Sequence, residues 1–131
     1  MNVSKKIAKL VYERDSDRCG ACGTANSPSI QHRINRGAGG DPKGYRNVLS
    51  NLMILCLPCN GALEADGSFR ASGIRSGWKA MSWDDPERVA VFYFWAREWR
   101  LLSNDGTFRV VDVSEITRGK NDAPLVIGKA A

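Results

Sequence analysis

A chain of 131 residues with 19 Lys and Arg against 14 Asp and Glu carries a formal charge of +5 and a pI near 9.2. That length suits one domain with a short extension, and the sign of the charge favours a polyanionic partner without specifying one. No apolar run reaches the length of a membrane span, and Met1 to Lys6 lead into an amphipathic pattern rather than a signal peptide. The expected setting is cytoplasmic, away from the membrane, where paired cysteines serve as thiolate ligands more often than as disulfides.

In chain order, Ser4 can cap a helix running to about Arg14, with Ile7, Leu10 and Val11 on its packing face and Lys5, Lys6 and Lys9 on the other. Asp15 to Gly23 breaks the pattern and carries Cys19-Gly20-Ala21-Cys22. Ser29 to Ile34 alternates as a strand does, Arg36 to Gly44 holds four glycines and reads as a loop, and Asn47 to Leu55 reads as a second strand with its turn. Cys56-Leu57-Pro58-Cys59 follows, and Pro58 to about Asp66 reads as a short helix because proline is tolerated at a helix start. Phe69 to Met81 reads as a further short helix broken at Gly73 and Gly77, and Val89 to Trp95 is β-prone. Trp99 to Ser103 and Thr107 to Val111 flank Asn104-Asp105-Gly106, a hairpin turn. From Glu115 onward the polar, Gly and Pro content predicts a poorly ordered tail.

The two CxxC pairs bracket the sole histidine of the chain, His32. Zinc takes four ligands in tetrahedral geometry, and two such turns can each supply two thiolates, so Cys19, Cys22, Cys56 and Cys59 form a candidate zinc site. Four cysteine ligands leave no open position for water, which makes the site structural rather than catalytic. Two disulfides, buried free thiols and a redox pair remain the competing readings of the same residues.

The cysteine pairs, Gln31-His32-Arg33, Arg36-Gly37-Ala38-Gly39-Gly40, Ser50-Asn51-Leu52 and the Asn60 that follows the last cysteine together resemble the zinc-stabilised HNH endonuclease family. The resemblance covers about Glu13 to Asp66 and is similar to small actinobacterial and phage members. It implies a ββα-metal core (a His-Me finger, treble-clef-like), with His32 as the general base and Asn51 holding the hairpin loop and orienting that base. It also implies that Gln31 and Asn60 stand where the family binds a catalytic Mg2+ or Mn2+. Here the chain departs from the pattern, because both are neutral amides and should hold such ions weakly unless phosphate oxygens complete the site. Gln31 and His32 are adjacent on a strand, so a bulge or twist is needed for them to act together. Asn60 also reads as a helix cap.

The expected architecture is therefore α+β: a core at 1–68 with the structural zinc on its four cysteines, an aromatic and basic extension with a β-hairpin at 69–114, and a flexible tail at 115–131. The expected activity is hydrolysis of DNA phosphodiesters. Arg33, Arg36, Arg70, Arg75 and Lys79 are candidate DNA contacts, Arg33 and Arg36 because they flank backbone-exposing glycines. The four tryptophans read as core. A catalytically inactive zinc-stabilised DNA-binding or interaction module is the alternative. By analogy with phage proteins, terminase is a conceivable partner and the bacterial host cytoplasm a conceivable location.

Overall fold

The computed structural model describes residues 3–35 and 46–127. It is a mixed α+β structure with three helices and three small antiparallel sheets. Helix α1 (Lys5–Arg14) starts where the Ser4 hydroxyl accepts the Ile7 N–H at 3.2 Å, which satisfies one orphan donor of the first turn. Ile7, Val11 and Tyr12 pack on Leu49, Leu52 and Ile54, whereas Leu10 is exposed.

Strands β1 (Pro28–His32) and β2 (Leu52–Cys56) pair antiparallel in an unbroken register from Pro28 opposite Cys56 to His32 opposite Leu52. The second strand starts later than the apolar run, because Leu49–Asn51 form a 3-10 turn. β2 is buried along its whole length, and its two faces serve different neighbours. Leu52 and Ile54 lie under α1, while Met53 and Leu55 join the main core with Cys19, Leu63, Trp78, Val91, Tyr93 and Leu102.

Helix α2 (Leu57–Ala65) carries Pro58 in its first turn and takes Cys56 as its N-cap residue. Asn60 therefore lies inside the helix and is not its cap. Helix α3 (Gly67–Ser76) is capped by the Asp66 side chain, which accepts the N–H groups of Ser68 and Phe69. It runs through Gly73 rather than breaking there, because the absent Cβ lets Leu63 of α2 approach. The stop comes at Gly77, in the left-handed conformation at φ 77°.

Strands β3 (Val91–Tyr93), β4 (Glu98–Leu102) and β5 (Phe108–Val111) form a meander whose second turn is Asn104-Asp105-Gly106. The expected tail is ordered over 115–127. Strands β6 (Thr117–Arg118) and β7 (Pro124–Leu125) pair with each other, Leu125 bridges Val89, and Val126 joins Ala90, Leu101 and Val111 in a buried cluster. This correction has a plain cause, since apolar Leu125 and Val126 find partners far upstream that no local pattern displays. The last four residues lie outside the described range.

Two buried polar knots tie the elements together. Asp15, at the end of α1, accepts from Arg14 Nε at 2.8 Å, the Ile54 N–H at 2.8 Å and the Tyr93 hydroxyl at 2.9 Å. Arg33, just past β1, is fully buried. Its guanidinium donates to the carbonyls of Gly77 at 2.8 Å, Ser50 at 2.7 Å, Pro86 at 3.1 Å and Val89 at 2.6 Å. Desolvation lowers its pKa to about 10, so it remains a cation at neutral pH.

Candidate metal centre and the adjoining histidine

Backbone geometry builds the first knuckle before any metal is considered. Cys19 donates its N–H to Thr24 O at 2.9 Å, and Gly23 N–H reaches back to Cys19 O at 2.8 Å. The Cys22 N–H points at Cys19 Sγ, 3.4 Å away. Gly20 binds the turn to the hairpin through Ile54 O at 2.9 Å, and a Cβ at Gly20 would come within 2.6 Å of the Met53 side chain. The second knuckle is held by Leu57 N–H to Ser27 O at 2.8 Å, so both cysteine pairs meet at the open end of the β1–β2 hairpin, where Pro28 lies opposite Cys56.

The four thiol sulfurs all lie within 4.8 Å of one another, with Cys22 Sγ 3.8 Å from Cys56 Sγ. That spacing and donor set could hold one metal ion, and the residues fit a thiophilic cation. Among the described residues, no other group of three or more His, Cys, Asp or Glu side chains is arranged to do so. Cys19 and Cys56 are buried, Cys59 is partly buried and Cys22 faces solvent. Burial pushes the Cys59 thiol well up and also raises Cys22. Burial acts on Cys19 in the same sense, but backbone hydrogen bonds from Cys56, Cys22 and Ala21 outweigh it and hold that thiol below its ordinary value. Packing four thiolates together without a cation is unfavourable, so metal binding must displace protons from this group.

His32 occupies the other end of the hairpin, as the last residue of β1, and is partly buried. Its Nε2 lies 2.7 Å from Asn47 Oδ1. Asn51 is fully buried, accepts the Ile34 N–H at 2.8 Å, and donates to Ile34 O at 3.1 Å and Arg46 O at 2.9 Å. It thereby joins the chain leaving β1 to the chain entering the 3-10 turn.

The residues implied as ligands of a catalytic divalent ion do not converge with the histidine. The ladder is regular through His32, without the bulge that joint action requires. By alternation Gln31 shares a face with Ser29, and His32 shares the opposite one with Ile30. Gln31 is buried and its Nε2 has no hydrogen-bond partner among the described residues. Asn60 donates its Nδ2 to Ser29 Oγ at 3.1 Å, and Ser29 Oγ in turn donates to Leu55 O at 2.7 Å. Gln31 and Asn60 thus lie toward one face of β1, yet two neutral amides make a poor magnesium or manganese site by themselves.

The candidate DNA contacts separate as well. Arg33 is spent on four carbonyls inside the protein and is not available to phosphate. Lys79 is also buried, with its ammonium 3.5 Å from Glu64. Arg70 donates to the carbonyls of Leu63 (2.9 Å) and Glu64 and is partly buried. Arg75 is exposed, and Arg36 lies outside the described residues. Lys5, Lys6 and Lys9 are exposed on α1. Of the tryptophans, Trp78 is buried, whereas Trp83 is 56% exposed with Lys120 Nζ 4.2 Å from its ring centre. Sequence reasoning missed Asn47, Asp15 and Arg14. Only Asn47 had a local signal, a polar amide just before the apolar run that forms β2.

Comparison with protein-family models, with curated proteins and with solved structures yields no match. Among the described residues, no helix is long and apolar enough to cross a membrane.

Proposed function

We propose that this chain is a zinc-stabilised DNA endonuclease of the HNH type, with a ββα-metal core formed by β1, β2 and α2. The observation that carries the reading is the placement of His32. It is partly exposed at one end of a hairpin whose other end is gathered by four cysteines, and it is bonded through Nε2 at 2.7 Å. A neutral imidazole so placed can take a proton from water at physiological pH, and Asn51 keeps the loop beside it in register. Zinc on Cys19, Cys22, Cys56 and Cys59 would supply folding energy and no chemistry. A divalent ion such as Mg2+ or Mn2+ would offset charge at the phosphate, with phosphate oxygens completing what Gln31 and Asn60 lack.

Attraction to DNA would be carried by the net charge of +5 and by surface cations such as Lys5, Lys6, Lys9 and Arg75. Affinity should then fall with salt at a log–log slope of roughly −0.9 per phosphate contact. The reading is tested by cleavage of supercoiled plasmid with Mg2+ or Mn2+, with and without chelator, by wild type and His32→Ala. The substitution should cost about 10²–10⁴-fold in rate while zinc content and DNA affinity hold. Unchanged cleavage by His32→Ala would end the mechanism. A second reading, a DNA-binding module without catalysis, is favoured by the engagement of Asn60 with Ser29 and by the neutral Gln31. It predicts salt-dependent binding and no cleavage with any common divalent ion.

A further inference from the structure

We propose that Lys79 is a shielded phosphate contact: the Glu64 carboxylate holds the place that a backbone phosphate of DNA takes on the Lys79 ammonium. The proposal rests on the nucleic-acid part of the reading above, and it applies to the nuclease and to the binding module alike.

The Lys79 side chain is 9% exposed, and its Nζ makes no hydrogen bond among the described residues. An ammonium carries three donor hydrogens, and leaving them unmet in the interior is costly. Glu64 Oε1 stands 3.5 Å away, beyond the reach of about 2.7–2.9 Å of a charge-assisted hydrogen bond. That carboxylate is 57% exposed, so turning it into water costs the ion pair and little packing. A phosphodiester carries the same single negative charge and offers two free oxygens. Exchanging carboxylate for phosphate therefore leaves the lysine neutralised and better bonded.

The surroundings point the same way. Asn60 and Glu64 are four residues apart on α2 and share a face, and Asn60 reaches β1 at Ser29. Ala80 N–H donates to Arg33 O at 2.8 Å, so the chain at Lys79 runs beside the end of β1 that carries His32. Gln31, on the Ser29 face of that strand, is a second buried donor, its Nε2 unpartnered among the described residues. The unmet groups here are N–H donors, which an oxyanion satisfies.

The test is binding of the full-length protein to short duplex DNA across a range of salt, without added Mg2+ or Mn2+. Lys79→Met, an apolar replacement of similar length, should weaken binding alike on unrelated sequences and flatten the log–log salt slope by roughly 1. Glu64→Gln should tighten binding by about 2- to 5-fold, the strength of a partly exposed ion pair. Asp17→Asn removes the same charge at another exposed acid and should give a smaller gain. In the Lys79→Met background, Glu64→Gln should gain no more than Asp17→Asn does. An unchanged slope in Lys79→Met overturns the proposal, because an ammonium met only by internal water releases no counterion. Equal gains from Glu64→Gln and Asp17→Asn overturn it too, and that comparison of two exposed sites does not need the lysine variant to fold. Either failure with wild-type binding intact removes this proposal alone. Wild type without salt-dependent binding removes the nucleic-acid reading and the proposal with it.

Discussion

The knuckle at residues 19–27 and the β3–β5 sheet touch at Gly20, whose carbonyl accepts the Phe94 N–H at 2.8 Å, yet they are ordered by different means. In the sheet, Val91, Tyr93, Leu101, Leu102 and Val111 are buried, and burial of such side chains contributes about 1.5–3 kcal/mol each. In the knuckle, Cys22 and Ala25 to Ser27 are exposed, and Cys19 alone joins the apolar core as a buried residue. The sheet can hold its shape from packing. The knuckle has backbone turns and two of the four clustered sulfurs, which a metal ion could fix in place. The hairpin between them is intermediate, packed on both faces of β2 and tied at its far end by Arg33.

The largest effect should come from preventing the four cysteines from holding a metal ion. Structural zinc in small domains contributes about 10–16 kcal/mol of apparent binding energy, comparable with the whole ~5–15 kcal/mol stability of a domain. Freshly purified protein should contain one zinc per chain by elemental analysis. Cys56→Ser should lose it and lose amide-exchange protection at β1, β2 and the knuckles. If Cys56→Ser keeps wild-type protection there, the contrast between knuckle and sheet is mistaken. The binding also has a pH sign: metal entry expels thiol protons, so zinc should be released as pH falls.

Next comes Arg33, where the hairpin depends on a buried cation instead of a metal. Arg33→Ala leaves four carbonyls without their donor and opens a cavity, which should cost about 3–5 kcal/mol in denaturant unfolding. Lys cannot replace the fork that serves Gly77, Ser50, Pro86 and Val89 together, so Arg33→Lys should recover only part of the loss. A cost below that of an ordinary surface substitution would show that the far end of the hairpin holds without this clamp.

These two cases also show what was legible in advance. The cysteines, the Ser4 cap, the hairpin turn at Asn104-Asp105-Gly106 and the position of α2 are local signals, written within a few residues of where they act. Arg33 was not legible, because its four partners lie at residues 50, 77, 86 and 89 and nothing near it marks burial. Beside a glycine-rich loop an arginine reads as a phosphate contact, and the fold instead turned it inward. Gly73 misled for a related reason, since a helix-interior glycine looks like a breaker until the helix that needs the space is known. The ordering of 115–127 likewise depends on the Val89–Leu125 bridge, a non-local pairing. Of the candidate site, the clustering of the four sulfurs was readable, whereas the contact of His32 with Asn47 required the loop geometry.

A smaller effect tests the seam between the two regions. Tyr93→Phe removes the hydroxyl that bonds Asp15 Oδ1 but keeps the ring in the core. A hydrogen bond to a carboxylate is worth about 1.5–3 kcal/mol, and the partner carboxylate keeps Arg14 and Ile54 N–H as donors, so the loss should fall near the lower end. The knuckle should be untouched, which unchanged zinc content would verify.

The smallest change is at Asn60, on α2 one residue past the second knuckle. Asn60→Ala removes one bond to Ser29 Oγ, and Ser29 keeps its own bond to Leu55 O, so the cost should be about 1 kcal/mol, or roughly 3–5 °C in Tm. Asn60→Asp is more informative than its size implies. The Ser29 hydroxyl already spends its hydrogen on Leu55 O, so a carboxylate at position 60 meets an oxygen with nothing to donate unless that bond is given up. The variant should therefore be less stable than wild type in chelator. If this face of the hairpin is where a divalent ion approaches, Mg2+ or Mn2+ should restore the loss, because a hard cation prefers the carboxylate to an amide. Thermal melts of both proteins with and without the ion decide the matter. A metal-dependent gain confined to Asn60→Asp would place a cation between α2 and β1, and equal curves would leave Asn60 as a tie between helix and strand.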